Sequence, residues 1–395
     1  MALTKPNSLM ATNDPDFVSL LEFIPASITN TSNTDCTTYI QAAIDYCVTN
    51  SKGLFVPNGI YLTGPLNLNG TGTVITPGVQ ANGIKAIKGA GRGYGLCGFA
   101  AKTSGLWATE YMMQGNNMVL STFSDFGLYG DGKAAFGLDL SWDGVNATTH
   151  VLTNIFVEGC NLLSINLNNV YDSRISGVMV RDSTSVGITA NCQQGMFIAD
   201  NLQVVNGIVQ LAAQNGGISN SVLADGIALN QSSFNNFSFD KVHFYQNVIT
   251  GVHINSTATG NATRGCVFTG CYFNPCTYSI AGRYWNGMTF IACQFETAYT
   301  NVIAPNITPA AGGGNLPVFK FEHCSFEGAT PAANAGAHNV HLEYCRTSTG
   351  GITGVTATTS LNMASYAVGG TPGVSGTITS ASTVTVVNGI ITNIV

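Results

Sequence analysis

The chain has 395 residues, of which 45% are hydrophobic and only 9% are charged, and its formal net charge is −6. Soluble domains usually carry roughly 25% charged residues, so uncharged polar residues must supply most of this surface. Nucleic acid is excluded as an expected partner because it would need a basic face. The length allows one large or two ordinary domains.

The N-terminal segment MALTKPNSLMATNDPDF contains no apolar core region, and no run of about 18 apolar residues occurs in the chain. We therefore expect neither a signal peptide nor membrane insertion, and we expect synthesis in a reducing cytoplasm. The eleven cysteines are odd in number and lack paired CxxC spacing. That pattern disfavours a disulfide framework or a zinc site, and we predict no metal and no cofactor.

Residues 17–64 are predicted to form a cap of one helix and short strands, covering an end that would otherwise promote aggregation. The segment DCTTYIQAAIDYCVTN predicts the helix, with Asp35 as its N-cap. GLFVPNGIYLTG predicts two strands around an Asn58-Gly59 turn. Apolar residues share one helical face at Ile40, Ala43, Ile44, Cys47 and Val48.

A spacing of inward-facing residues at x, x+3 and x+5 then repeats along the chain. VFKFEHCSFEG shows it with Phe321, Cys324 and Phe326. The spacing alternates like a strand at its end and lacks the helical period. We find ten matches: Phe123/Phe126/Leu128, Leu152/Ile155/Val157, Ile175/Val178/Val180, Ala199/Leu202/Val204, Ser219/Val222/Ala224, Phe239/Val242/Phe244, Phe268/Cys271/Phe273, Phe290/Cys293/Phe295, Phe321/Cys324/Phe326 and Leu342/Cys345/Thr347.

These repeats predict an all-β fold: a right-handed, single-stranded parallel β-helix over residues 65–347, with a short N-terminal capping helix and a small C-terminal β element. The Gly-rich residues 65–122 are expected to hold early coils with excursions. Ten coils at about 4.8 Å each would make a rod about 50 Å long. The x+3 cysteines of successive coils are predicted to form a ladder of buried thiols: Cys271, Cys293, Cys324 and Cys345.

Residues 348–395 are rich in Gly, Thr, Ser and Val and lack the coil pattern. This segment is too small to bury a core alone, so we expect a separate β-rich trimerisation element. Its short strands are predicted to include Ile378, Val384, Val386, Ile390 and Ile394, with a turn at Asn388-Gly389.

The order FVSLLEF, IQAAIDYC, GLFVPNGIYL and then β-helix coils resembles bacteriophage tailspikes of the pectate-lyase-like β-helix superfamily. The ending TVTVVNGIITNIV is similar to terminal segments of phage tail proteins. The resemblance implies a homotrimer on a virion tail that binds, and often depolymerises, capsular polysaccharide or O-antigen. Either a longer virion-binding head is missing from this sequence, or residues 1–16 are an attachment peptide for the phage tail or baseplate.

Glycoside hydrolysis needs two carboxylates flanking the bond, and Glu296 and Glu327 occupy the x+6 slot of successive coils. We predict that they are the catalytic pair. Lyase chemistry would instead use a base such as His243, His253 or a tyrosine, with Arg283 or Arg264 neutralising a uronate. A receptor-binding tail protein without enzymatic activity is the other alternative, and a cellular polysaccharide enzyme is disfavoured by the missing signal peptide.

Outward slots near this pair predict a sugar-binding groove, and the segment GRYWNG is expected to be a loop that adds an aromatic platform and a cation. The substrate-binding candidates are His243, Tyr245, Tyr272, Asn274, Arg283, Trp285 and Gln294. Three rival carboxylate sets share slots elsewhere: Glu322 with Glu343, Glu158 with Arg181 and Asp225, and Asp200 with Asp240.

Overall fold

The computed structural model describes residues 16 to 394 with gaps. The described ranges are 16–77, 79–91, 96–102, 110–141, 150–160, 163–167, 173–181, 194–198, 203–205, 208–210, 225–229, 238–245, 250–255, 263–274, 278–283, 285–296, 318–327, 339–343, 345–347, 360–362, 367–368, 371–372, 384–387 and 390–394.

The first half contains the strand β1 (Phe17–Ser19), a short 3-10 helix (Leu20–Glu22) and the α-helix α1 (Thr37–Asn50). Short strands follow: β2 (Gly53–Val56), β3 (Gly59–Thr63), β4 (Leu66–Asn67), β5 (Ala86–Gly89), β6 (Cys97–Ala101), β7 (Tyr111–Gln114), β8 (Ser121–Ser124), β9 (Gly127–Tyr129), β10 (Phe136–Asp139), β11 (His150–Thr153), β12 (Phe156–Glu158), β13 (Leu163–Leu167), β14 (Arg174–Ser176), β15 (Met179–Arg181), β16 (Gln194–Ile198), β17 (Gln203–Val205) and β18 (Ile208–Gln210).

The second half continues with strands of similar length. These are β19 (Asp225–Leu229), β20 (Ser238–Asp240), β21 (His243–Tyr245), β22 (Thr250–Asn255), β23 (Thr263–Thr269), β24 (Tyr272–Asn274), β25 (Tyr278–Arg283), β26 (Trp285–Ile291), β27 (Gln294–Glu296), β28 (Val318–Glu322), β29 (Ser325–Glu327), β30 (Asn339–Glu343), β31 (Arg346–Thr347), β32 (Ser360–Asn362), β33 (Ala367–Val368), β34 (Thr371–Pro372), β35 (Val384–Val387) and β36 (Ile390–Ile394).

Most of these strands form three long parallel sheets. Sheet A has thirteen strands, in the order β1-β2-β5-β8-β11-β14-β17-β20-β23-β26-β28-β30-β32. Sheet B has eleven, β3-β6-β9-β12-β15-β18-β21-β24-β27-β29-β31, and sheet C has eight, β4-β7-β10-β13-β16-β19-β22-β25. The chain visits the sheets in turn and returns to each one beside its previous strand. This is a parallel β-helix, as the repeat predicted.

The x to x+5 segment forms a tight corner between sheet A and sheet B. Its x+2 residue adopts a left-handed backbone, as at Ala292 with φ 52° and His323 with φ 54°. The N–H of Ala292 donates to the carbonyl of Glu322 in the next coil at 2.8 Å. The N–H of Gln294 donates back to Cys271 of the preceding coil at 2.9 Å. Hydrogen bonds in both directions therefore hold this corner in place. Its length is constant from β8 onward, whereas the connection between β5 and β6 is longer.

The core of the C-terminal coils is a set of stacked rings, because each coil supplies phenylalanine at the same inward slots. Phe290 is fully buried. Its ring lies 4.9 Å from that of Phe268 and 4.7 Å from that of Phe321, with interplanar angles of 13° and 12°. Phe295 meets Phe290 edge-on at 5.8 Å. Stacked and edge-to-face contacts of this kind add to the stabilisation from burial.

The capping helix is confirmed, with Ile40, Ala43, Ile44 and Cys47 fully buried. Its N-cap residue, however, is Cys36 rather than Asp35. The Asp35 carboxylate lies one residue earlier and accepts the Thr37 N–H at 2.9 Å.

The predicted strands of GLFVPNGIYLTG are present as β2 and β3, but they are not a hairpin. Leu54 of β2 pairs in parallel with Ile87, and Tyr61 of β3 pairs with Phe99. The two strands belong to different sheets, so the Asn58-Gly59 segment turns the chain between faces of the helix.

Two of the ten repeat matches are wrong. Val204 pairs with Ile175 and Phe239, so it occupies the x slot and not the x+5 slot. The Ser219/Val222/Ala224 match cannot supply a coil between Val204 and Phe239, because these two residues are direct register partners; its own residues lie outside the described residues. The cause is a weak apolar signal, since the residue three positions after Val204 in the sequence is a glycine.

Sheet A extends beyond residue 347, because Leu361 of β32 pairs in parallel with Leu342. Farther on, β35 and β36 form an antiparallel pair in which Val387 faces Ile390. The predicted strands at Val384, Val386, Ile390 and Ile394 are thus present, while Ile378 and the turn residues Asn388 and Gly389 lie outside the described residues. The proposed attachment peptide also lies there, except for Asp16.

Candidate functional site

The two predicted catalytic glutamates lie side by side in sheet B. Glu296 ends β27, Glu327 ends β29, and the two residues are direct register partners. The residues before them, Phe295 and Phe326, are buried with their rings stacked at 5.0 Å. The backbones of the glutamates are therefore one strand spacing apart, about 4.8 Å. Their side chains lie outside what the structure describes, so their catalytic role stays a prediction.

A row of polar residues crosses the same strands of sheet B. His243, Tyr272, Gln294 and Ser325 are successive register partners on β21, β24, β27 and β29. Tyr272 and Gln294 are partly exposed, and Ser325 is buried. We call these four residues the sheet B row.

Two further substrate-binding candidates, Tyr245 and Asn274, are register partners on β21 and β24. The structure therefore brings the glutamate pair and five of the seven predicted binding residues onto four neighbouring strands of one sheet.

Arg283 and Trp285 lie elsewhere, and the expectation of a GRYWNG loop is wrong. Arg283 is the last residue of β25 in sheet C, where it pairs with Asn255. Trp285 is the first residue of β26 in sheet A, where it pairs with Thr263. Only Tyr284, outside the described residues, separates the two strands. Neither residue shares a sheet with the glutamate pair.

One rival carboxylate set is an ion-paired region of sheet A. Glu322 and Glu343 are register partners on β28 and β30. The Lys320 ammonium lies 3.0 Å from the Glu322 carboxylate. This ion pair accounts for the charge of Glu322 without a catalytic role.

The other two rival sets do not assemble as predicted. Glu158 is buried beside Arg181 in register, but Asp225 lies in sheet C opposite Gln194. Asp240 pairs with Val205, and Asp200 lies outside the described residues. Both errors follow from the misplaced coil matches at residues 199–224.

The candidates for lyase chemistry are also dispersed over the three faces of the β-helix. His243 lies in sheet B, His253 in sheet C and Arg264 in sheet A. His253 and Arg283, however, lie on the neighbouring strands β22 and β25 of sheet C, where Asn255 is the register partner of Arg283. The backbone thus brings one predicted lyase base and one predicted uronate-neutralising arginine onto adjacent strands, and their lyase role stays a prediction.

Sequence reasoning missed a buried carboxylate on sheet C. Asp139 is 2% exposed, and its carboxylate accepts hydrogen bonds from Gln114 Nε2 at 2.9 Å and Asn166 Nδ2 at 3.0 Å. It also accepts the backbone N–H of Ser141 at 3.0 Å. Burial raises the pKa of Asp139, while these hydrogen bonds oppose the rise. Asn166 Nδ2 also donates to Tyr111 Oη at 3.3 Å.

The same cluster carries a pair of stacked aromatic rings. Tyr111 and Phe136 are register partners on β7 and β10, their ring centroids are 4.5 Å apart, and the interplanar angle is 25°. Both side chains are partly exposed. We call Tyr111, Gln114, Phe136, Asp139 and Asn166 the sheet C cluster.

His150 is a second buried titratable group that the sequence did not reveal. Its side chain is fully buried in β11, and within the described structure neither ring nitrogen has a hydrogen-bond partner. Burial lowers the pKa of His150 to about 4, and the Ser121 backbone offsets part of that effect.

The predicted thiol ladder is confirmed as a core feature. Cys271, Cys293, Cys324 and Cys345 are buried, and each thiol donates to a carbonyl of the preceding coil. For Cys324 this carbonyl is that of Phe290, at 3.4 Å. Contact with the Cys293 thiol, together with burial, raises the pKa of Cys324 to about 12. The ladder is therefore poorly suited to nucleophilic or metal chemistry.

Within the part of the chain that the structure describes, no group of three or more His, Cys, Asp or Glu residues is arranged to hold a metal ion. The described helices are also too short or too polar to cross a membrane.

No protein-family model and no curated protein sequence matches the chain. Among solved structures, it is similar to the A-modules of the mannuronan C-5 epimerases AlgE4 and AlgE6 from Azotobacter vinelandii, each with a TM-score of 0.52. The identities are 13% and 11%, and the matches cover 84% and 87% of this chain and 95% and 99% of those modules.

The tailspike protein of an Acinetobacter phage is also similar, with a TM-score of 0.48 and 12% identity over 89% of this chain and 60% of the tailspike. At such identities, the likeness to the epimerase modules shows the fold alone. The chain has the parallel β-helix architecture.

Proposed function

We propose that this protein is a tailspike-type glycoside hydrolase that binds and depolymerises a bacterial surface polysaccharide, either capsule or O-antigen. The observation that carries the proposal is the register pairing of Glu296 with Glu327 on adjacent strands of sheet B. The similarity to polysaccharide-modifying epimerase modules is in keeping with a carbohydrate substrate but assigns no reaction.

The chemistry of the pair follows from its spacing. Carboxyl groups about 5–5.5 Å apart suit a retaining glycosidase, and those about 6.5–9.5 Å apart suit an inverting one. Backbones about 4.8 Å apart allow either distance, depending on how far the side chains diverge. Two carboxylates so close repel each other, so one of them keeps its proton and protonates the leaving oxygen. The other acts as nucleophile or as base toward water.

The sheet B row supplies the substrate contacts in this proposal. Phenol, amide and hydroxyl groups complement sugar hydroxyls, which both donate and accept hydrogen bonds. A row that gains one member with every coil suits a polymer, because a polymer presents similar groups at regular intervals. Tyr272 and Gln294 are the members whose partial exposure is established.

The resemblance of the N-terminal segments to phage tailspikes supports two further parts of the proposal. We infer a homotrimer, and we infer that the N-terminus attaches it to the virion tail. Light scattering coupled to size exclusion tests the first: a mass three times 41.2 kDa is expected, and a monomer would contradict it.

The decisive experiment incubates the purified chain with a panel of capsules and lipopolysaccharides. It follows new reducing ends together with the absorbance of unsaturated uronates. Reducing ends without that absorbance are expected. Glu296→Gln and Glu327→Gln should each lower the rate by at least about 100-fold, as loss of an acid–base group does.

Glu343→Gln, in sheet A, is the matched control and should retain the wild-type rate. Unsaturated products would show that the enzyme is a lyase rather than a hydrolase. Glycan binding without any new reducing ends would favour a receptor-binding protein without enzymatic activity. Full activity in both glutamine variants would refute the assigned pair.

A further inference from the structure

The sheet C cluster takes no part in the proposed reaction, although it combines partly exposed aromatic rings with an ordered set of polar groups. The rings of Tyr111 and Phe136 stack at 4.5 Å on adjacent strands. An aromatic surface that retains exposure favours a ligand with an apolar face. A sugar ring has such a face, formed by its C–H groups, with hydroxyls around the edge.

Asp139 fixes which atoms of the neighbouring amides remain available. An ionised carboxylate only accepts hydrogen bonds, so Gln114 and Asn166 must direct their amide nitrogens toward it. Within the described residues, no donor contacts Gln114 Oε1 in this cluster, and none contacts Asn166 Oδ1. Both amide side chains are partly exposed.

The Tyr111 hydroxyl completes the set. Its oxygen accepts from Asn166 Nδ2, so its proton is free for another acceptor within the described structure. The cluster thus offers one hydroxyl donor and two amide acceptors beside a pair of stacked rings. This is the complement of a sugar edge, whose hydroxyls donate and accept.

We propose that the sheet C cluster is a second carbohydrate-binding site, which takes a neutral sugar ring of a polysaccharide. Neutrality follows from Asp139, because its buried carboxylate is contacted among the described residues by amide and backbone N–H groups rather than by a cation, and an uncompensated charge disfavours an anionic sugar. The inference shares its ligand class with the proposed function but requires no catalysis.

The position of the cluster separates it from the glutamate pair. The cluster lies on β7, β10 and β13 of sheet C, whereas the glutamates lie on β27 and β29 of sheet B. Between β9, which precedes β10 in the same coil, and β27, sheet B contains β12, β15, β18, β21 and β24. Six strand spacings amount to about 29 Å along the axis. The cluster would therefore hold a distant part of the polymer or a second chain.

The test is affinity electrophoresis of the full chain in gels containing neutral polysaccharides: dextran, galactan and neutral O-antigens. Anionic alginate serves as the comparison polymer. Tyr111→Ala should weaken retardation by the best neutral polymer about tenfold, which is the effect of losing one good aromatic contact. Tyr111→Phe keeps the stack and should weaken retardation about threefold through the lost hydrogen bond.

Tyr46→Ala is the matched control, because Tyr46 is a 43% exposed tyrosine on the capping helix. It should leave retardation unchanged. A thermal unfolding transition shows whether each variant is folded. If Tyr111→Ala does not fold, the comparison of Tyr111→Phe with the wild type still tests the proposal.

Equal retardation of both Tyr111 variants and the wild type would overturn the proposal, as would retardation only by alginate or by no polymer. The result is independent of the reaction, because the double variant Glu296→Gln/Glu327→Gln should be retarded normally even where no cleavage occurs. Cleavage without any effect of Tyr111 would leave the proposed function intact and remove only this site.

Discussion

Replacing His150 with leucine tests how a buried imidazole controls stability. His150 is fully buried and its pKa is lowered to about 4, from an ordinary value of 6.5. Between these two values the unfolded chain binds a proton that the folded chain excludes. The folded state therefore loses stability as pH falls from about 6.5 to about 4. Above about pH 6.5 the imidazole is neutral in both the folded and the unfolded chain, so no stability is lost there.

The size of the effect follows from the difference between the two pKa values. Each pKa unit corresponds to about 1.4 kcal/mol, so a shift of about 2.5 units is worth about 3 kcal/mol. Most of this should be lost by pH 4.5. Asp139 works in the opposite direction, because its raised pKa favours the folded state as pH falls. The two effects are separated by comparing variants at the same pH.

The assay is urea unfolding at pH 7.5 and pH 4.5 of the wild type, His150→Leu and His323→Asn. The His323 side chain is exposed, and asparagine tolerates the left-handed backbone there, so this variant is the control. The stability of His150→Leu relative to the wild type should rise by about 2–3 kcal/mol between the two pH values. An unchanged difference would refute the reasoning, since it would mean that the folded state protonates His150 without cost.

Three further predictions concern the β-helix itself. Phe290→Ala should lower the free energy of unfolding by about 3–5 kcal/mol, because it removes the middle ring of a stack; a loss below about 1 kcal/mol in urea unfolding would contradict the packing. Cys324 should react with an aromatic disulfide reagent only after unfolding, since it is buried with a pKa near 12; rapid labelling of the native protein, followed by mass spectrometry, would show otherwise. Ala292→Gly should stabilise by about 1 kcal/mol because φ is 52° there, whereas Ala43→Gly in the capping helix should destabilise; a loss of stability in Ala292→Gly would contradict the corner geometry.

The coils containing Phe268, Phe290 and Phe321 could be predicted from sequence because bulky rings recur at the x and x+5 positions, and this spacing lacks the period of a helix. The coil containing Val204 could not be placed, since glycine fills its x+3 slot and the apolar signal is lost. One misplaced coil shifts every later assignment made from it, and this is how Asp225 entered a row to which it does not belong.

The pairing of Glu296 with Glu327 was predictable because strand alternation and coil spacing fix the register. The positions of Arg283 and Trp285 were not, because a polar, Gly-flanked segment resembles a loop even when it lies at a corner between two strands. The sheet C cluster did have a signal. Gln114, Asp139 and Asn166 are separated by 25 and 27 residues, which matches the neighbouring coils, where Phe123, Leu152 and Ile175 are 29 and 23 residues apart. The x, x+3 and x+5 spacing covers only sheets A and B, so these sheet C residues lie outside it.

The hydrogen bonds of the sheet A to sheet B corner have a consequence for how this protein tolerates change. The corner between β26 and β27 is bonded to the coil before and the coil after, so a residue inserted there would displace two neighbours at once. The other two edges vary in length. At the sheet C to sheet A edge, Tyr284 alone separates β25 from β26, whereas residues 230–237 separate β19 from β20. At the sheet B to sheet C edge, residues 275–277 separate β24 from β25, whereas residues 211–224 separate β18 from β19. The sheet A to sheet B corner is thus sensitive to a change in length, whereas the other two edges of the β-helix accept connections of different lengths. Grafted peptides and new recognition loops should be placed at these two edges, where a change in length affects only a single coil.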